Sequence, residues 1–470
     1  MKTRREFLAS LASVPAVGPR AHSRDANRPN ILFLLTDDHR WDALGCMGNK
    51  VIRTPHLDRL AADGTLFLNN FCSTAICMAS RASIFTGLHE RSHGISRFDL
   101  PLTPQAFARG YPALLRKAGY RTGFIGKYGV GNTMPAAEFD YWKGFPGQGR
   151  YFVEHNGRTV HLTNLMGDQA VEFLESGDAK QPFCLSVSFK APHAQDEDPR
   201  QYLYDPGLEN LYQNATVPVP KTATRRYYEE LPPFLQNSEG HIRWKKRFAT
   251  PEEYQKSVKA YYRLITGVDN VVGRIRKKLD EIGQAANTVI IFTSDNGYYL
   301  GERWLADKWY LHEESVRTPL IIFDPRLPQS RRGRRRREMT LNLDLAPTML
   351  DVAGLKPPAS MQGRSLLPLV RGERISWRTE FFYSHLFQHP GIPKSEGIRN
   401  ERWMYARYIE TDPLYEELYD LRRDPFEEHN LAHDSSASEQ LQAMRKRWQA
   451  WRDALARWSP DVSWQDPPLS

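Results

Sequence analysis

This 470-residue sequence predicts an α/β fold: a mixed, mostly parallel central sheet flanked by helices, then a small antiparallel sheet carrying a helix. Three observations point there. Short apolar runs of strand character alternate with segments of helical periodicity through most of the chain. Two apolar runs far apart in sequence end in adjacent oxygen-bearing side chains: residues 30–36 in Asp37-Asp38, and residues 288–293 in Ser294-Asp295-Asn296-Gly297. After Gly372 the texture changes to closely spaced short strands and a final amphipathic helix.

In chain order, residues 30–36, 121–125, 183–189 and 288–293 read as strands, and 54–63, 165–175 and 254–282 as helices. A further strand at 320–323 and a helix at 343–352 follow. Residues 196–250, rich in Pro, Tyr and charge, read as a long insertion outside the core, of the kind that shapes access to a site. Short strands are expected at 379–383, 396–399 and 403–408, then Glu417-Leu418-Tyr419-Asp420-Leu421. The last helix, 438–458, carries Leu441, Met444, Trp448, Trp451 and Leu455 at helical spacing, a stripe that reads as core packing. These elements divide the chain into an N-terminal signal and linker (1–26), a main α/β domain (27–374) and an α+β subdomain (375–470).

Composition narrows the function classes. Hydrophobic content of 40% and charged content of 25% are those of a globular protein, which argues against disorder. No apolar run approaches the roughly 20 residues needed to span a bilayer, so the chain is not expected to be membrane-spanning. Arg4-Arg5 ahead of a short Ala/Leu/Ser/Val run reads as a twin-arginine-like export signal and a periplasmic destination. The alternative is a basic N-terminus with a chance arginine pair. The net charge of +9 favours anionic partners, and nothing resembles a nucleic-acid module. Arg331-Arg332-Gly333-Arg334-Arg335-Arg336-Arg337 reads as a solvated loop, or alternatively as a patch for a polyanion. The four cysteines, Cys46, Cys72, Cys77 and Cys184, are too few for a disulfide scaffold. Cys46 with Cys72 is a possible bridge, against the expectation of two isolated buried thiols.

Paired acids at the end of a strand place hard oxygen ligands at the carboxyl edge of the sheet, where open α/β folds bind ligands. Such ligands suit Ca²⁺ or Mg²⁺. Cys77 and Arg81 share a face if a helix begins at Cys77.

Cys77-Met78-Ala79-Ser80-Arg81 and its continuation Ala82-Ser83-Ile84-Phe85-Thr86-Gly87 join four further elements. These are the two Asx pairs, Gly126-Lys127-Tyr128-Gly129, Lys190-Ala191-Pro192-His193, and the segment from Asp307-Lys308 to Thr318-Pro319. Together they resemble the formylglycine-dependent sulfatases of the alkaline phosphatase superfamily, along nearly the whole chain. The resemblance implies an alkaline-phosphatase-like fold and a sulfuric ester hydrolase. It implies that Cys77 is oxidised to formylglycine, whose hydrate attacks sulfur and then expels sulfate. A sulfatase-maturing enzyme, formylglycine-generating or other, is thereby an expected partner. One Ca²⁺ ion is implied at Asp37, Asp38, Asp295, Asn296 and residue 77. Arg81 would orient residue 77, Lys127 and Lys308 would hold sulfate oxygens, and His193 would protonate the leaving group.

Three positions depart from the family pattern. Ala79 stands where proline is commonest, Gly129 where a histidine is usual, and His312 where other residues are usual. Tyr128, a water or another histidine would have to replace the missing base. Asn296 in place of another charge favours one metal and a monoanionic sulfate over a phosphate monoester. The expected substrate is a sulfated small molecule or glycan, with His385, His389 and Arg399 as contacts by position alone. The alternatives are a phosphonate or phosphodiester hydrolase of the same superfamily, or an inactive protein that binds sulfated glycans.

Overall fold

Residues 28–469 are described by a computed structural model; the export signal expected at 1–26 lies outside them. The central sheet has nine strands. They are β1 (Asn30–Asp37), β2 (Thr65–Phe71), β3 (Arg121–Lys127), β4 (Tyr141–Phe145), β5 (Phe183–Pro192), β6 (Thr288–Ser294), β7 (Arg317–Phe323), β8 (Arg334–Arg336) and β9 (Thr340–Leu341). Their order is β8-β2-β7-β6-β1-β5-β3-β4, with β9 also on β2. Only β7 runs antiparallel to its neighbours, β2 and β6; β1 pairs in parallel with both β5 and β6.

The strand β1 is buried on both faces, which is why its sequence reads as a continuous apolar run. Leu32 and Leu34 face one layer, built by helices α1 (Pro55–Asp63), α3 (Leu162–Glu175) and α4 (Pro251–Glu281). Ile31, Phe33 and Leu35 face the other, built by α2 (Cys77–Thr86) and by the helices Tyr111–Lys117 and Leu345–Val352. The long α4 starts cleanly: Thr250 caps it by accepting from the Glu253 amide at 3.2 Å, and Pro251 occupies its first position. Asp269 on α4 in turn accepts from the His56 and Leu57 amides at the start of α1, tying the two helices together.

The C-terminal sheet is a simple antiparallel meander of β10 (Glu380–His385), β11 (Ser395–Asn400), β12 (Trp403–Tyr408) and β13 (Tyr415–Asp420). The final helix, α5 (Ser438–Ala456), lays Leu441, Met444, Trp448, Trp451 and Leu455 on Phe382, Ile398, Tyr405 and Leu418, so the stripe is core packing. The opposite face of the sheet, with Phe381, Tyr383, Met404 and Tyr419, packs on Phe71, Leu311 and Leu341. No helix among the described residues is long and apolar enough to cross a membrane.

Several expectations need correction. Residues 196–250 are not outside the core: Tyr202, Leu203, Tyr212, Val217, Trp244 and Phe248 join the cluster under α4. Pro and charge mark the turns of this segment, while its spaced aromatics do the packing. The arginine run is not simply a loop, because Arg334–Arg336 form the edge strand β8 on β2. Like charges on an edge are compatible with a strand and keep that edge from pairing further. All four cysteines are free, and Cys46 is only half-buried.

Glu90, fully buried, links the region after α2 to the C-terminal sheet. It accepts from Thr74 Oγ1 at 3.3 Å, Ser384 Oγ at 2.9 Å and the Leu386 amide at 3.3 Å. Burial pushes its carboxyl up to about 8 against those hydrogen bonds. The folded value exceeds the unfolded one, so protonation favours the native state. That contribution is complete below about pH 4.5 and is lost as pH rises towards 8. Glu90→Gln, which cannot ionise, is expected to raise the thermal midpoint by about 3 °C or more at pH 8 and by much less at pH 5. An equal shift at both values would show that ionisation of Glu90 does not limit stability.

Candidate active site

Two strand ends and one helix start build the site. At the carboxyl end of β1, Asp37 closes the strand and Asp38 turns into a left-handed conformation (φ 64°). The pairing of β1 with β5 slips between Leu35 and Asp37, a bulge that brings Asp37 opposite Pro192, the residue before His193. The end of β6 is laced to that of β1: the Asp295 amide and Ser294 Oγ both donate to the Thr36 carbonyl, at 3.1 and 3.2 Å, and Ser294 Oγ accepts from the His39 amide at 3.0 Å. Helix α2 begins at Cys77 after an extended Ile76, and all ten of its residues are buried. Gly87 ends it in the left-handed region, its amide bonded back to Ser83 O. Asp38, Asp307 and Trp309 all hold left-handed backbone at this place, which is costly for non-glycine residues.

The sequence-predicted residues converge here. Cys77 Sγ lies 3.5 Å from Asp37 Oδ1. Arg81, one helical turn on, is fixed on three sides: Nε on Asp295 Oδ2 at 2.9 Å, and Nη1 on Lys127 O at 2.7 Å and Ser188 Oγ at 2.5 Å. Its Nη2 is left as a buried donor without a hydrogen-bond partner. Lys127 Nζ donates to Asp37 Oδ2 and, at 2.6 Å, to Gln148 Oε1. Lys308 Nζ bridges Asp38 at 2.7 Å and Asp307 at 3.1 Å. His193 donates from Nδ1 to the Ala194 carbonyl at 2.5 Å, which leaves Nε2 turned to Asp38 Oδ2 at 3.5 Å.

The charges perturb one another strongly. Burial opposes ionisation of Asp37, yet Lys127, His193 and Arg81 hold it well below the usual carboxylate range. Burial pushes Asp38 up to about 7 in spite of Lys308. Burial, then the charge of Asp37, push Asp295 up to about 6. The Cys77 thiol rises to about 12 through burial and Asp37, so as a plain cysteine it is a poor nucleophile at neutral pH.

A divalent cation fits the donors. Asn296 Nδ2 donates to Asp38 Oδ1 at 2.6 Å and to Gly297 O at 2.9 Å, which leaves Oδ1 buried with no hydrogen-bond partner. An orphaned amide oxygen beside buried carboxylates is a hard-oxygen set suited to Ca²⁺ or Mg²⁺. Ligand atoms of Asp37, Asp38, Cys77 and His193 lie within 4.8 Å of one another. Asp295 and Asn296 reach this group by hydrogen bonds to Asp38.

The same structure disposes of several candidates. The Tyr128 ring packs among Phe85, Phe124 and Trp142, and burial pushes its phenol up, so it is not the missing base. Gly129 has φ +75°, and a Cβ there would lie 2.6 Å from Arg81 Cδ. His312 is held by Tyr299 at 2.5 Å and faces Glu417 at 3.6 Å, remote from Cys77 in a structural cluster. Arg399 is paired with Glu313 at 2.9 Å and sits over the Phe71 ring. His385 is buried with both ring nitrogens unpartnered. Of the three residues proposed by position, only His389 lines the cavity of about 200 Å³ over Cys77, with Phe98, Gln148, Asp196, Arg243 and Trp309 among its walls. Arg243 and Asp196 come from the 196–250 segment and are joined at 3.1 Å. Sequence reasoning missed Gln148 and Ser188, since neither stands in a motif; their positions follow from the neighbouring strands β4 and β5.

A mostly parallel sheet with two Asx pairs at adjoining strand ends, facing a helix that starts on a cysteine, agrees with the alkaline-phosphatase-like hydrolase that the sequence resembles. A family model described as Sulfatase matches residues 29–355, and one described as N-sulphoglucosamine sulphohydrolase, C-terminal, matches 301–454. The chain therefore belongs to the sulfatase family of the alkaline phosphatase superfamily and is a sulfuric ester hydrolase. It is 29% identical to an N-acetylglucosamine-6-O-sulfatase of Bacteroides thetaiotaomicron, over 90% of this chain and 86% of that one. An arylsulfatase of Clostridium perfringens is 27% identical over 89% and 93%. A solved structure in complex with its substrate D-glucosamine-2-N,6-O-disulfate superposes with a TM-score of 0.77 at 26% identity, covering 92% of this chain and 99% of that one.

Because a Cβ at 129 meets Arg81 and the backbone there is left-handed, restoring the histidine usual at that position should fail. Gly129→His and Gly129→Ala are each expected to lose about 1–3 kcal/mol of stability and to lower turnover. Denaturant melts and steady-state assays check this; a Gly129→His variant of unchanged stability and higher activity would contradict it.

Proposed function

We propose that the protein hydrolyses the sulfate ester of a sulfated amino sugar, within or released from a glycan, using formylglycine made from Cys77 and one Ca²⁺ ion. The observation that carries this reading is the convergence of Lys127, Lys308, Arg81 and His193 on Cys77. The sugar assignment is supported by the relatives that act on glucosamine sulfates.

Asp37, Asp38, Asp295, Asn296 and residue 77 would hold the cation, which supplies charge neutralisation at the sulfuryl oxygens. Formylglycine supplies a hydrated aldehyde as nucleophile. The remaining work belongs to side chains already in place. Lys127 and Lys308 stand on the two acids of the β1 end, Asp37 and Asp38, and are positioned to clamp a sulfate between them. Arg81 Nη2, which makes no hydrogen bond and lies 3.6 Å from Asp37 Oδ2, is placed to hold an oxygen on residue 77. Fixing Nδ1 on the Ala194 carbonyl makes Nε2 the nitrogen of His193 that delivers a proton to the ester oxygen as the S–O bond breaks. Burial and then Lys308 hold this imidazole well below its ordinary value. An anionic sulfate set against the lysines offsets that opposition and raises its proton affinity.

Mass spectrometry of the active, purified protein should show the residue-77 peptide lighter than its cysteine form, and Cys77→Ala should abolish turnover. Unmodified thiol throughout a fully active sample would sink the formylglycine reading. Assays of an aryl sulfate against an aryl phosphodiester separate a sulfatase from a phosphonate or phosphodiester hydrolase, and tight binding of sulfated glucosamine without turnover would identify a binding protein.

His193→Ala should cost about 10²–10⁴-fold with a sugar sulfate, whose alkoxide needs a proton. With nitrophenyl sulfate, whose leaving group departs unaided, the loss should be far smaller. Equal losses on the two substrates would remove His193 from the role of acid.

A further inference from the structure

Gln148 reaches the site from outside every motif, on Lys127 and on the wall of the cavity over Cys77. It sits in the turn after β4, between Gly147 and Gly149, which are both left-handed at φ +62° and +65°. The turn is anchored to the site by sheet register: β4 pairs in parallel with β3, Phe145 opposite Lys127, and the Tyr128 amide donates to Phe145 O at 3.2 Å. Three residues beyond that pair, the Gln148 side chain returns over Lys127, accepting from its Nζ at 2.6 Å. It lines the same cavity as Cys77, His193 and Lys308.

An ammonium group can only donate, so the atom of Gln148 that meets Lys127 is the amide oxygen. The orientation of the amide is thereby settled. Its Nε2 is left as a neutral two-proton donor that makes no hydrogen bond to protein among the described residues. Position 129 cannot supply a side chain beside Lys127, because a Cβ there would lie 2.6 Å from Arg81 Cδ.

We propose that Gln148 completes the sulfate cradle: its Oε1 holds Lys127 in place and its Nε2 donates to an oxygen of the bound sulfate. This rests on the sulfate-ester reading above. It differs from a structural role, in which Gln148 is only a second acceptor for Lys127. The two separate in Gln148→Glu, where a carboxylate still accepts from Lys127 but loses the donor and opposes an anion. Gln148→Asn serves as a second shortened variant, with the polarity kept.

The experiment compares wild type, Gln148→Ala, Gln148→Asn and Gln148→Glu in three readouts: aryl sulfate kinetics, inhibition by inorganic sulfate, and calorimetric binding of inorganic sulfate. Formylglycine content and unfolding midpoints are measured alongside. Gln148→Ala should lower kcat/KM and weaken sulfate binding by about 10- to 100-fold, the worth of one hydrogen bond to a charged group. Gln148→Glu should be worse than Gln148→Ala in both. Sulfate binding within about threefold of wild type in Gln148→Ala, or Gln148→Glu equal to or better than Gln148→Ala, overturns the proposal. A wild-type protein that binds sulfate but turns over no sulfate ester defeats the functional reading instead, and the binding arm still decides the role of Gln148.

Discussion

Asp37, Asp38 and Asp295 are held in a site without bulk water, and the rest of the architecture answers to that constraint. Breaking one member from a buried ion pair costs roughly 3–5 kcal/mol, because the partner is left charged and alone. Here Arg81, Lys127 and Lys308 come from three separate elements to meet the acids. The parallel register of β1 with β5 and β6, and the packing of α2 against the sheet, are thus coupled to the charge balance. The same balance leaves Asp38 and Asp295 only weakly committed to ionisation, a state that a sulfate between the lysines, or a cation between the acids, would shift in opposite directions.

Much of this was readable in the sequence. Apolar runs buried on both faces betrayed β1, β5 and β6, and the Asx pairs at the ends of β1 and β6 located the carboxyl edge of the sheet. Cys77 and Arg81 do share a helical face, because α2 begins at Cys77. Lys127 and His193 follow directly from the ends of β3 and β5. Where a functional residue terminates a strong periodic element, local pattern and site geometry carry the same information.

What escaped was set by tertiary contact. β2 and β4 lack a distinctive run, and β4 is only half-buried; its partner β3 selects its conformation. The 196–250 segment looked peripheral because its buried aromatics are spread between prolines. Yet Arg247 from this segment is 1% exposed and paired with Asp307 at 2.6 Å, directly beside Lys308. Gln148 stands in no pattern at all. Its position over Lys127 depends on two left-handed glycines and on register across β3 and β4, neither of which leaves a periodic trace. Tyr128 misled for the converse reason: it follows the end of β3 and its ring turns into the cluster of Phe85, Phe124 and Trp142, while Lys127 turns to Asp37.

Cys77 is 1% exposed at the buried start of α2, with the sheet beneath it. On the proposed formylglycine reading, an enzyme that oxidised this side chain would have to reach it before α2 packs, because helix and sheet enclose it in the finished fold. Chemical maturation would then compete with collapse of the chain around residue 77. The fraction of active molecules would be decided by timing during synthesis, and a molecule that folded first would keep its thiol for as long as it stayed folded.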